Sequence, residues 1–404
     1  MPDMRADHAD LLSPWRWPHA AYIHIPFCAH QCGYCDFAVA AGQDHLIDLY
    51  LEALELELAT LGQPAPIRTL FVGGGTPTQL RPRQLERLFA SLRHWLPPRG
   101  PDNQPDAGPS AAALAPWDEC SVESTPDSLD AERVEVLAAA GVNRISIGVQ
   151  TFQDHLLPVL DRVHDAGQIP AAVQRAGRRI PHVSLDLIFG IPGQTIDDWQ
   201  TDLDKALAFQ PQHLSTYGLT YEKGTPLWKQ RLRGQVRPVT EELERRMYLA
   251  AIERLEAGGF EHYEISNFAR PGCRCRHNET YWANEAYFGF GVGAARYVLG
   301  KRELNTRSTH DYLRRVLAGE SPTFQSEELP PQERARETFA VQLRRTFGID
   351  RDRFRQQTGY ELDGLIGAKL RGHVAEGYLA DDGTRVRLTR QGQCVADAII
   401  EELL

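Results

Sequence analysis

The sequence has no uninterrupted apolar run of the roughly 18 residues that a membrane-spanning helix needs. Its first 21 residues are polar and broken by prolines, with no basic stretch leading into an apolar one, so we expect no secretion signal and predict a cytoplasmic protein. Basic residues are also in deficit, because 44 Lys and Arg stand against 54 Asp and Glu, a net charge of -10. This balance argues against a general nucleic-acid-binding protein, since neutralising phosphates requires a surplus of positive charge.

The sequence also lacks an even number of cysteines. The chain has seven cysteines, and three of them, Cys28, Cys32 and Cys35, stand close together near the start. A disulfide framework would need an even number in an oxidising compartment, so metal binding is the better interpretation. With 404 residues and 42% hydrophobic content, the chain is long enough for one large globular domain and a smaller one.

Strand-like runs alternate with helical ones from residue 22 to residue 258. Six repeats predict an α/β fold with a parallel sheet and right-handed crossovers, and we expect an open, incomplete (β/α)6 barrel. A doubly wound open sheet would show the same alternation and stays an alternative. The predicted organisation is a lead segment over residues 1–21, a partial barrel with an extension over 22–300, and a C-terminal domain over 301–404. Residues 97–117, rich in Pro, Gly and Ala, predict a flexible loop.

The C-terminal domain is predicted to be helical and winged-helix-like. Its helical part is followed by "EGYLADDGTRVRLTRQG", which predicts two short strands joined at Asp382 and Gly383, and by a final helix to Leu404. Winged modules often bind DNA, but no basic recognition helix stands out here. We therefore predict a packing or substrate-covering role.

The three cysteines form the pattern C-x3-C-x2-C within the stretch "YIHIPFCAHQCGYCDFAVAAG". A tight loop with this spacing can direct three thiolates at one centre, and thiolates select zinc or iron-sulfur clusters. Structural zinc takes four protein ligands, and no fourth Cys or His follows in the usual paired spacing, although His24 and His30 are available. A four-iron cluster held by three cysteines would leave one iron open to a substrate or cosubstrate.

Polar residues recur where the predicted strands end. Each taken alone has an ordinary explanation, such as a glycine turn or an exposed acid. Together they fall where barrel enzymes assemble their sites from successive βα loops. They comprise "GGGTP" at residues 73–77, Glu123, Gln150, Arg162, Asp186 and Thr220.

The cysteine pattern after the first strand, with an aromatic residue just before the last cysteine, resembles the radical S-adenosylmethionine (SAM) family. The resemblance runs over residues 22 to 300, because "GGGTP" and the later strand-end residues follow in the family's order. It implies a [4Fe-4S] cluster on Cys28, Cys32 and Cys35, whose open iron chelates SAM and cleaves it reductively to a radical. The residues that the resemblance assigns to SAM binding are Tyr22, Tyr34, Gly74, Gly75, Thr76, Glu123, Gln150, Arg162, Asp186 and Thr220.

The phrases "YIHIPFC", "GGGTPT", "RISIGVQTF" and "DLIFGIPGQT" resemble one branch of that family. The branch contains oxygen-independent coproporphyrinogen III dehydrogenases and the HemW heme chaperones. The dehydrogenase motif has a fourth cysteine two positions after the third, where this chain has Phe37 after Asp36. The dehydrogenases also have a longer segment before the first strand, where this chain has 21 residues. Both features favour a heme chaperone on an enzyme-type scaffold without coproporphyrinogen oxidase activity. Radical decarboxylation of coproporphyrinogen III in heme biosynthesis stays the alternative.

A second motif supports the chaperone, because the arrangement H-N-x-x-Y-W resembles the heme-binding motif of that group. It is formed by His277, Asn278, Tyr281 and Trp282. Imidazole is a standard axial ligand of heme iron, and Tyr and Trp offer flat faces for a porphyrin, although a hydrogen-bonded core corner would look the same. The resemblance implies heme as ligand, acceptor hemoproteins that include membrane-associated respiratory ones, an electron donor for the cluster, and no nucleic acid. It also allows a homodimer.

The remaining cysteines receive less specific predictions. Cys273 and Cys275 are interpreted as alternative heme ligands or reduced surface thiols, and Cys120 and Cys394 as structural residues. The glycine-rich stretch "GFGVGAARY", residues 289–297, lacks the strand and acidic partner of a dinucleotide site. We expect it to allow close packing against the site.

Overall fold

A computed structural model of the chain describes residues 13–99 and 116–404. Part of the predicted lead segment (residues 1–12) and most of the predicted flexible loop (residues 100–115) lie outside the described residues. At the loop's described ends, Pro98 forms a bridge to Ile67, and the buried Trp117 donates a hydrogen bond from Nε1 to the Leu96 carbonyl (3.0 Å). Both ends are therefore fixed to the barrel.

The strands of the described residues are short and fall into four sheets. In chain order they are β1 (Ala20–Ile25), β2 (Phe27–Cys28), β3 (Ala40–Ala41), β4 (Thr69–Gly74), β5 (Glu119–Ser124), β6 (Arg144–Gln150), β7 (His182–Phe189), β8 (His213–Gly218), β9 (Glu261–Glu264), β10 (Asn267–Ala269), β11 (Phe288–Phe290), β12 (Ala295–Val298), β13 (Lys301–Asn305), β14 (Thr323–Glu328), β15 (Ile349–Asp350), β16 (Leu379–Asp381) and β17 (Arg385–Leu388).

Helices follow most of the strands in the first two thirds of the chain and dominate the last third. They are α1 (Ile47–Ala59), α2 (Pro82–Trp95), α3 (Ala131–Ala139), α4 (Gln168–Gly177), α5 (Ile196–Ala208), α6 (Pro226–Leu232), α7 (Glu241–Ala257), α8 (Arg276–Trp282), α9 (Thr309–Leu317), α10 (Pro331–Gln342), α11 (Arg351–Thr358), α12 (Leu362–Ala375), α13 (Arg390–Gln393) and α14 (Ala396–Leu403). Short 3-10 helices lie at Asp44–Leu46, Pro77–Gln79 and Leu157–Leu160.

The main sheet is an open, partial barrel, as predicted. Its strand order is β11-β1-β4-β5-β6-β7-β8-β10-β9, and the six central strands, β1 and β4 to β8, are parallel. Each of these six strands adds beside the one before it, without the reversal of order that defines a doubly wound sheet. The doubly wound alternative is therefore wrong. Because parallel neighbours end together, the loops after β1 and β4 to β8 meet at one mouth.

Alternation along β1 shows how the sequence positions the site. Ala21, Ile23 and Ile25 belong to the main hydrophobic core, whereas Tyr22 and His24 point to the other side of the sheet and hydrogen bond to each other (3.0 Å). Successive side chains of a β-strand point to opposite faces of the sheet, which explains this alternation. The covering helices begin just beyond the mouth at capping residues. One example is Asp130, whose carboxylate accepts from the Arg133 amide (2.8 Å) at the start of α3.

The C-terminal part has a hydrophobic core of its own. That core runs from Ala335 to Leu403 and combines α10, α11, α12 and α14 with the small antiparallel sheet β15-β17-β16, whose β16 and β17 form the predicted hairpin. Tyr312 on α9 still packs into the barrel core, and β13 pairs with β12 across residue 300. The domain boundary at residue 301 stays a prediction. No helix in the described residues is long and apolar enough to cross a membrane.

Candidate functional site

A cavity of about 1250 Å³ opens at the mouth of the barrel. It lies against the last residues of the parallel strands and the loops that follow them, which is where barrel proteins bind their ligands. Its lining includes the three motif cysteines and most of the residues predicted to bind SAM. Those residues are Tyr34, Gly74, Gly75, Thr76, Glu123, Gln150, Arg162, Asp186 and Thr220. Tyr22 does not line it, because its side chain lies deeper in the barrel, stacked on Phe71 with ring centroids 6.1 Å apart.

The cysteine loop is held in shape by the backbone around it. The two-residue strands β2 and β3 pair in parallel, matching Phe27 with Ala40 and Cys28 with Ala41, and so close the loop at its base. At its far side the Gly33 amide donates to the Leu160 carbonyl (3.2 Å), and the Gly33 carbonyl accepts from the Leu227 amide (2.8 Å). Backbone hydrogen bonds therefore restrain the loop at its base and at its far side.

All three loop thiols are free and partly exposed to the cavity. Burial raises the pKa of Cys28 to about 11 and raises the pKa of Cys35, and the neighbouring cysteines add to both shifts. Iron or another metal would have to displace the thiol protons as it binds. In the described residues, no three His, Cys, Asp or Glu side chains are close enough to hold a single ion. Three soft thiolate donors on one loop suit an iron-sulfur cluster or zinc, as the spacing of the cysteines indicates.

The glycine segment next to the loop offers acceptors to a ligand. The amides of Gly75 and Thr76 donate to the carbonyls of Ile25 and Phe27 (both 2.8 Å), and the Gly74 amide donates to Glu123 (2.8 Å). With these donors occupied, a ligand would meet carbonyl oxygens and the Glu123 carboxylate. Such a set suits an ammonium group or hydroxyls. Gly74 itself has φ +110°, and a Cβ there would meet the His24 ring at 2.4 Å, so close packing also requires this glycine.

Glu123 and Asp186 place two acids in the barrel interior. Burial raises the pKa of Glu123 to about 7, the charge of Asp186 adds to the shift, and the Gly74 amide opposes it. Burial also raises the pKa of Asp186, against hydrogen bonds from nearby serines, of which Ser146 Oγ lies 2.9 and 2.8 Å from the two carboxylate oxygens. A cationic ligand would favour the charged form of both acids.

Gln150 and Arg162 are held in place by a backbone irregularity at the end of β6. The register with β7 shifts between Gly148 and Gln150, and Gln150 has φ +67°. A positive φ in a residue other than glycine costs energy and is most often found at functional sites. Arg162 donates to the Gly148 carbonyl (2.9 Å) and to Cys32 Sγ (3.4 Å). It thus connects the end of β6 to the cysteine loop.

The predicted heme residues lie together on α8 but do not line the cavity. His277 is fully buried beside the first residues of the strands, with Nδ1 3.1 Å from Thr69 Oγ1 and Nε2 2.8 Å from the Tyr281 hydroxyl. The ring also stacks on Phe71, and burial lowers its pKa to about 4. In this conformation the imidazole has no free nitrogen for a heme iron. Asn278 and Trp282 are partly exposed.

A buried ion pair anchors α8 to the barrel. The Glu119 carboxylate accepts hydrogen bonds from the amides of Arg276 and His277 (both 3.0 Å), and it pairs with Arg144 at 3.1 Å. Because free amides and a partial positive charge mark the start of a helix, this glutamate stabilises α8 from outside its own segment. Cys275 donates to the same carboxylate (3.2 Å), so it is a buried structural thiol and not a surface one.

One wall of the cavity was not predicted from the sequence. This C-terminal wall consists of Arg344, Cys394, Val395 and Asp397, and it faces Tyr217 and Ile265 from the ends of β8 and β9. Cys394, predicted to be structural, lines the cavity. The predicted covering role of the C-terminal module agrees with this placement. No local pattern could have identified the wall, because its first and last residues, Arg344 and Asp397, are 53 positions apart.

Comparisons with known proteins identify the family to which the chain belongs. Residues 22–206 match the Radical SAM superfamily, and residues 329–395 match the HemN C-terminal domain. The heme chaperone HemW of Bacillus subtilis is 37% identical over 391 residues, which cover 95% of this chain and 99% of the relative. The heme chaperone HemW of Escherichia coli is 31% identical over 398 residues, covering 96% and 98%. The radical S-adenosyl methionine domain-containing protein 1 of Bos taurus mitochondria is 30% identical and covers 95% and 87%.

Among solved structures, the coproporphyrinogen III oxidase (HemN) of Escherichia coli, described as a radical SAM enzyme, has the same fold. The two superimpose with a TM-score of 0.80 at 23% identity, over 96% of this chain and 90% of that one. The similarity extends across both the partial barrel and the C-terminal module.

Proposed function

Because the chain belongs to the HemW family of radical SAM proteins, we propose that it is a heme chaperone that binds a [4Fe-4S] cluster, SAM and heme and delivers heme to acceptor hemoproteins. The observation that carries the proposal is one cavity shared by Cys28, Cys32, Cys35 and the polar strand ends, in a chain that aligns with HemW proteins over almost its full length. Porphyrin chemistry on the same scaffold is the second candidate.

The three thiols would hold the cluster. When bound, a [4Fe-4S] cluster with one open iron supplies a coordination site for SAM and a source of one electron. The protein's part is to hold the loop, which the β2 and β3 pairing does, and to place positive charge near it. Arg162, 3.4 Å from Cys32 Sγ, provides that charge. A cationic neighbour stabilises the thiolate form of a cysteine and the net negative charge of a cluster.

The remaining strand-end residues would bind SAM. Glu123 presents a buried carboxylate beside the carbonyls of the glycine segment, and Gln150 and Asp186 line the same cavity. Tyr34 packs between the cysteine loop and the apolar cluster under α6, while Thr220 follows β8 at the rim. Tyr22 would act from beneath, by orienting His24 and the glycine segment.

The finer assignments are part of the same proposal. Binding of heme through the H-N-x-x-Y-W motif stays a prediction, and ligation by His277 would require its imidazole to give up one of its two hydrogen bonds, the one to Thr69 or the one to Tyr281. We also propose a cytoplasmic location, an electron donor that reduces the cluster, membrane-associated respiratory acceptors, and a homodimer as one assembly form. The family resemblance supports these assignments.

Iron loading tests the cluster directly. Anaerobic reconstitution with iron and sulfide should give four irons per wild-type chain and a spectrum of a [4Fe-4S] cluster. Cys35→Ser should lose most of the iron, because two thiolates hold a cluster poorly. Cys273→Ser, which removes a partly exposed thiol outside the cavity, is the matched control and should load normally. A wild type that takes up zinc but no iron would refute the assignment.

Incubation of the reduced, reconstituted protein with coproporphyrinogen III and SAM separates the two candidate functions. A chaperone should yield no protoporphyrinogen and should transfer bound heme to an apo-hemoprotein, followed by the gain of the acceptor's absorption. Formation of protoporphyrinogen at a rate above that of the Cys35→Ser variant would contradict the chaperone assignment. Absence of both activities would contradict both.

A further inference from the structure

The His277 ring is held between two hydroxyl groups that come from different elements of the fold. Its Nδ1 lies 3.1 Å from Thr69 Oγ1, and its Nε2 lies 2.8 Å from the Tyr281 hydroxyl. An iron ligand must offer a bare ring nitrogen, so a metal can bind only after one of these hydrogen bonds is broken. The two partners differ in how firmly the fold holds them, and this difference determines which nitrogen becomes free.

Thr69 is a fixed part of the barrel wall. It is the first residue of β4, it pairs with Ala20 of β1 on one side and Glu119 of β5 on the other, and it is 5% exposed. Threonine is also β-branched, which makes its χ1 stiff. The His277 amide donates to the Glu119 carboxylate at 3.0 Å. Both the backbone of His277 and the partner of its Nδ1 are therefore tied to the same pair of strands.

Tyr281 is held less firmly. It lies on α8, one turn after His277, and its side chain is half-buried. Within the described residues its hydroxyl has no hydrogen bond other than the one to Nε2. Rotation of this side chain would remove the hydroxyl without moving the helix backbone. Phe71 would stay stacked on the imidazole, with ring centroids 5.2 Å apart, and would keep the ring in its orientation.

This inference rests on the heme-chaperone function proposed above. We propose that Thr69 is the positioning residue of the heme ligand and that Nε2 of His277 is the ligating atom. Thr69 Oγ1 accepts from the Nδ1 proton and so keeps Nε2 bare, and the Tyr281 hydroxyl donates to Nε2 until heme displaces it. On binding, an iron-nitrogen bond forms and the hydrogen bond from Tyr281 breaks. The phenol keeps its proton, and no electron is transferred.

Hydroxyl chemistry supports this placement of the protons. A neutral imidazole has one N–H and one bare nitrogen, so the two hydroxyls must play opposite roles. The phenol of Tyr281 is more acidic than the alcohol of Thr69 and is the better donor, which favours donation from Tyr281 to Nε2. An acceptor on the Nδ1 proton also raises the basicity of Nε2. Thr69 therefore strengthens the bond from Nε2 to iron and favours the ferric state.

Nuclear magnetic resonance of the heme-free full chain tests the proton placement. In protein labelled with ¹⁵N-histidine, long-range ¹H–¹⁵N correlations should place the His277 proton on Nδ1, and the signal is assigned by its absence in His277→Gln. A proton on Nε2 would overturn the inference. This result does not depend on heme, so it is independent of whether the chaperone function is correct.

Hemin titration and a potentiometric titration of the bound heme test the positioning role. Thr69→Val should bind hemin roughly tenfold more weakly or worse and should raise the heme reduction potential, and Thr69→Ser should restore both. Tyr281→Phe removes the competing hydroxyl and should bind about two- to tenfold more tightly. Thr201→Val is the matched control, because Thr201 is exposed on α5 and bonds to its own helix, and it should match wild type.

The possible failures have different causes. If wild type binds no hemin, the chaperone function is wrong and this inference fails with it. If wild type binds hemin and Thr69→Val keeps both affinity and potential, only the role of Thr69 is wrong. A weaker Thr69→Val with an unchanged potential, or without rescue by serine, would show a merely structural threonine and overturn the inference. Weaker binding by Tyr281→Phe would overturn the assignment of Nε2 as the nitrogen that Tyr281 releases.

Discussion

Among single residues, Glu123 has the most informative environment. Its carboxylate lies among barrel side chains that desolvate it, and burial raises its pKa to about 7 from an ordinary value near 4.5. The folded protein therefore holds a proton on Glu123 that the unfolded chain has lost across this pH range. The contribution of Glu123 to the free energy of unfolding must therefore fall as the pH rises from about 4.5 to about 7.

Replacing Glu123 by glutamine removes this pH dependence while keeping an acceptor for the Gly74 amide. Without SAM, Glu123→Gln should unfold at higher urea concentration than wild type at about pH 8, and the difference should vanish near about pH 4. Asp118→Asn, at an exposed acid just before β5, should show no such crossover. A difference that is the same at both pH values would contradict the assigned protonation.

Gly74 allows the closest packing at the site. Alanine there would place a Cβ 2.4 Å from the His24 ring in a backbone conformation with φ +110°. We expect Gly74→Ala to cost more than about 2 kcal/mol of unfolding free energy. Gly319→Ala, where φ is +73° and no atom lies within 4 Å, should cost about 1 kcal/mol. Equal losses in urea unfolding would show that the His24 contact is unimportant.

Local spacing in the sequence predicted which residues would meet at the cavity. Cys28, Cys32 and Cys35 lie in one loop at the cavity, and Glu123 and Arg162 line it, as the motifs predict. His277 shows the limit of this reasoning. Its hydrogen bond to Thr69 joins residues 208 positions apart, and that distant contact occupies Nδ1 of the ring predicted as a ligand.

Among the elements, α8 depends on a distant ion pair more than on its own sequence. The helix has seven residues and no side-chain cap of its own, and Glu119 caps it from the start of β5. Burial alone would raise the pKa of Glu119, but Arg144 and the helix amides outweigh it and lower the pKa. The pair therefore stabilises the fold at pH values above the ordinary pKa of a glutamate, and this stabilisation is lost as the pH falls below that value.

Neutralising Glu119 should leave Arg144 as an uncompensated buried charge. We expect Glu119→Gln to lose about 3–5 kcal/mol of unfolding free energy at neutral pH, and the loss should shrink below about pH 4. Asp118→Asn is the matched control, because Asp118 forms an exposed pair with Arg276 at 3.7 Å and should contribute less than about 1 kcal/mol. A small, pH-independent loss in Glu119→Gln would refute the capping role.

The parallel strands could be predicted because each is a short apolar run followed by a helical period. β1 and β4 to β8 fall where that alternation predicts them. The short antiparallel strands were missed. β9 and β10 complete the sheet beside β8, and β12 to β14 form a separate sheet, but each has few residues and its pairing depends on neighbours far along the chain.

At the scale of the whole molecule, the cavity lies between two hydrophobic cores. The barrel supplies the cysteine loop and strand ends, and the C-terminal module supplies Arg344 and the turn at Cys394. Composition and alternation predicted both units. The contact between them could not be predicted, because a single sequence does not show which surfaces of two units meet.

The pairing of β2 with β3 has a consequence for the entropy of ligand binding. Phe27 with Ala40 and Cys28 with Ala41 close the cysteine loop at its base through backbone pairing. A closed loop has fewer accessible conformations than an open chain, so Cys32 and Cys35 can occupy only a limited set of positions relative to Cys28. The entropy that the loop loses when it binds a ligand is correspondingly smaller, and more of the binding free energy appears as affinity.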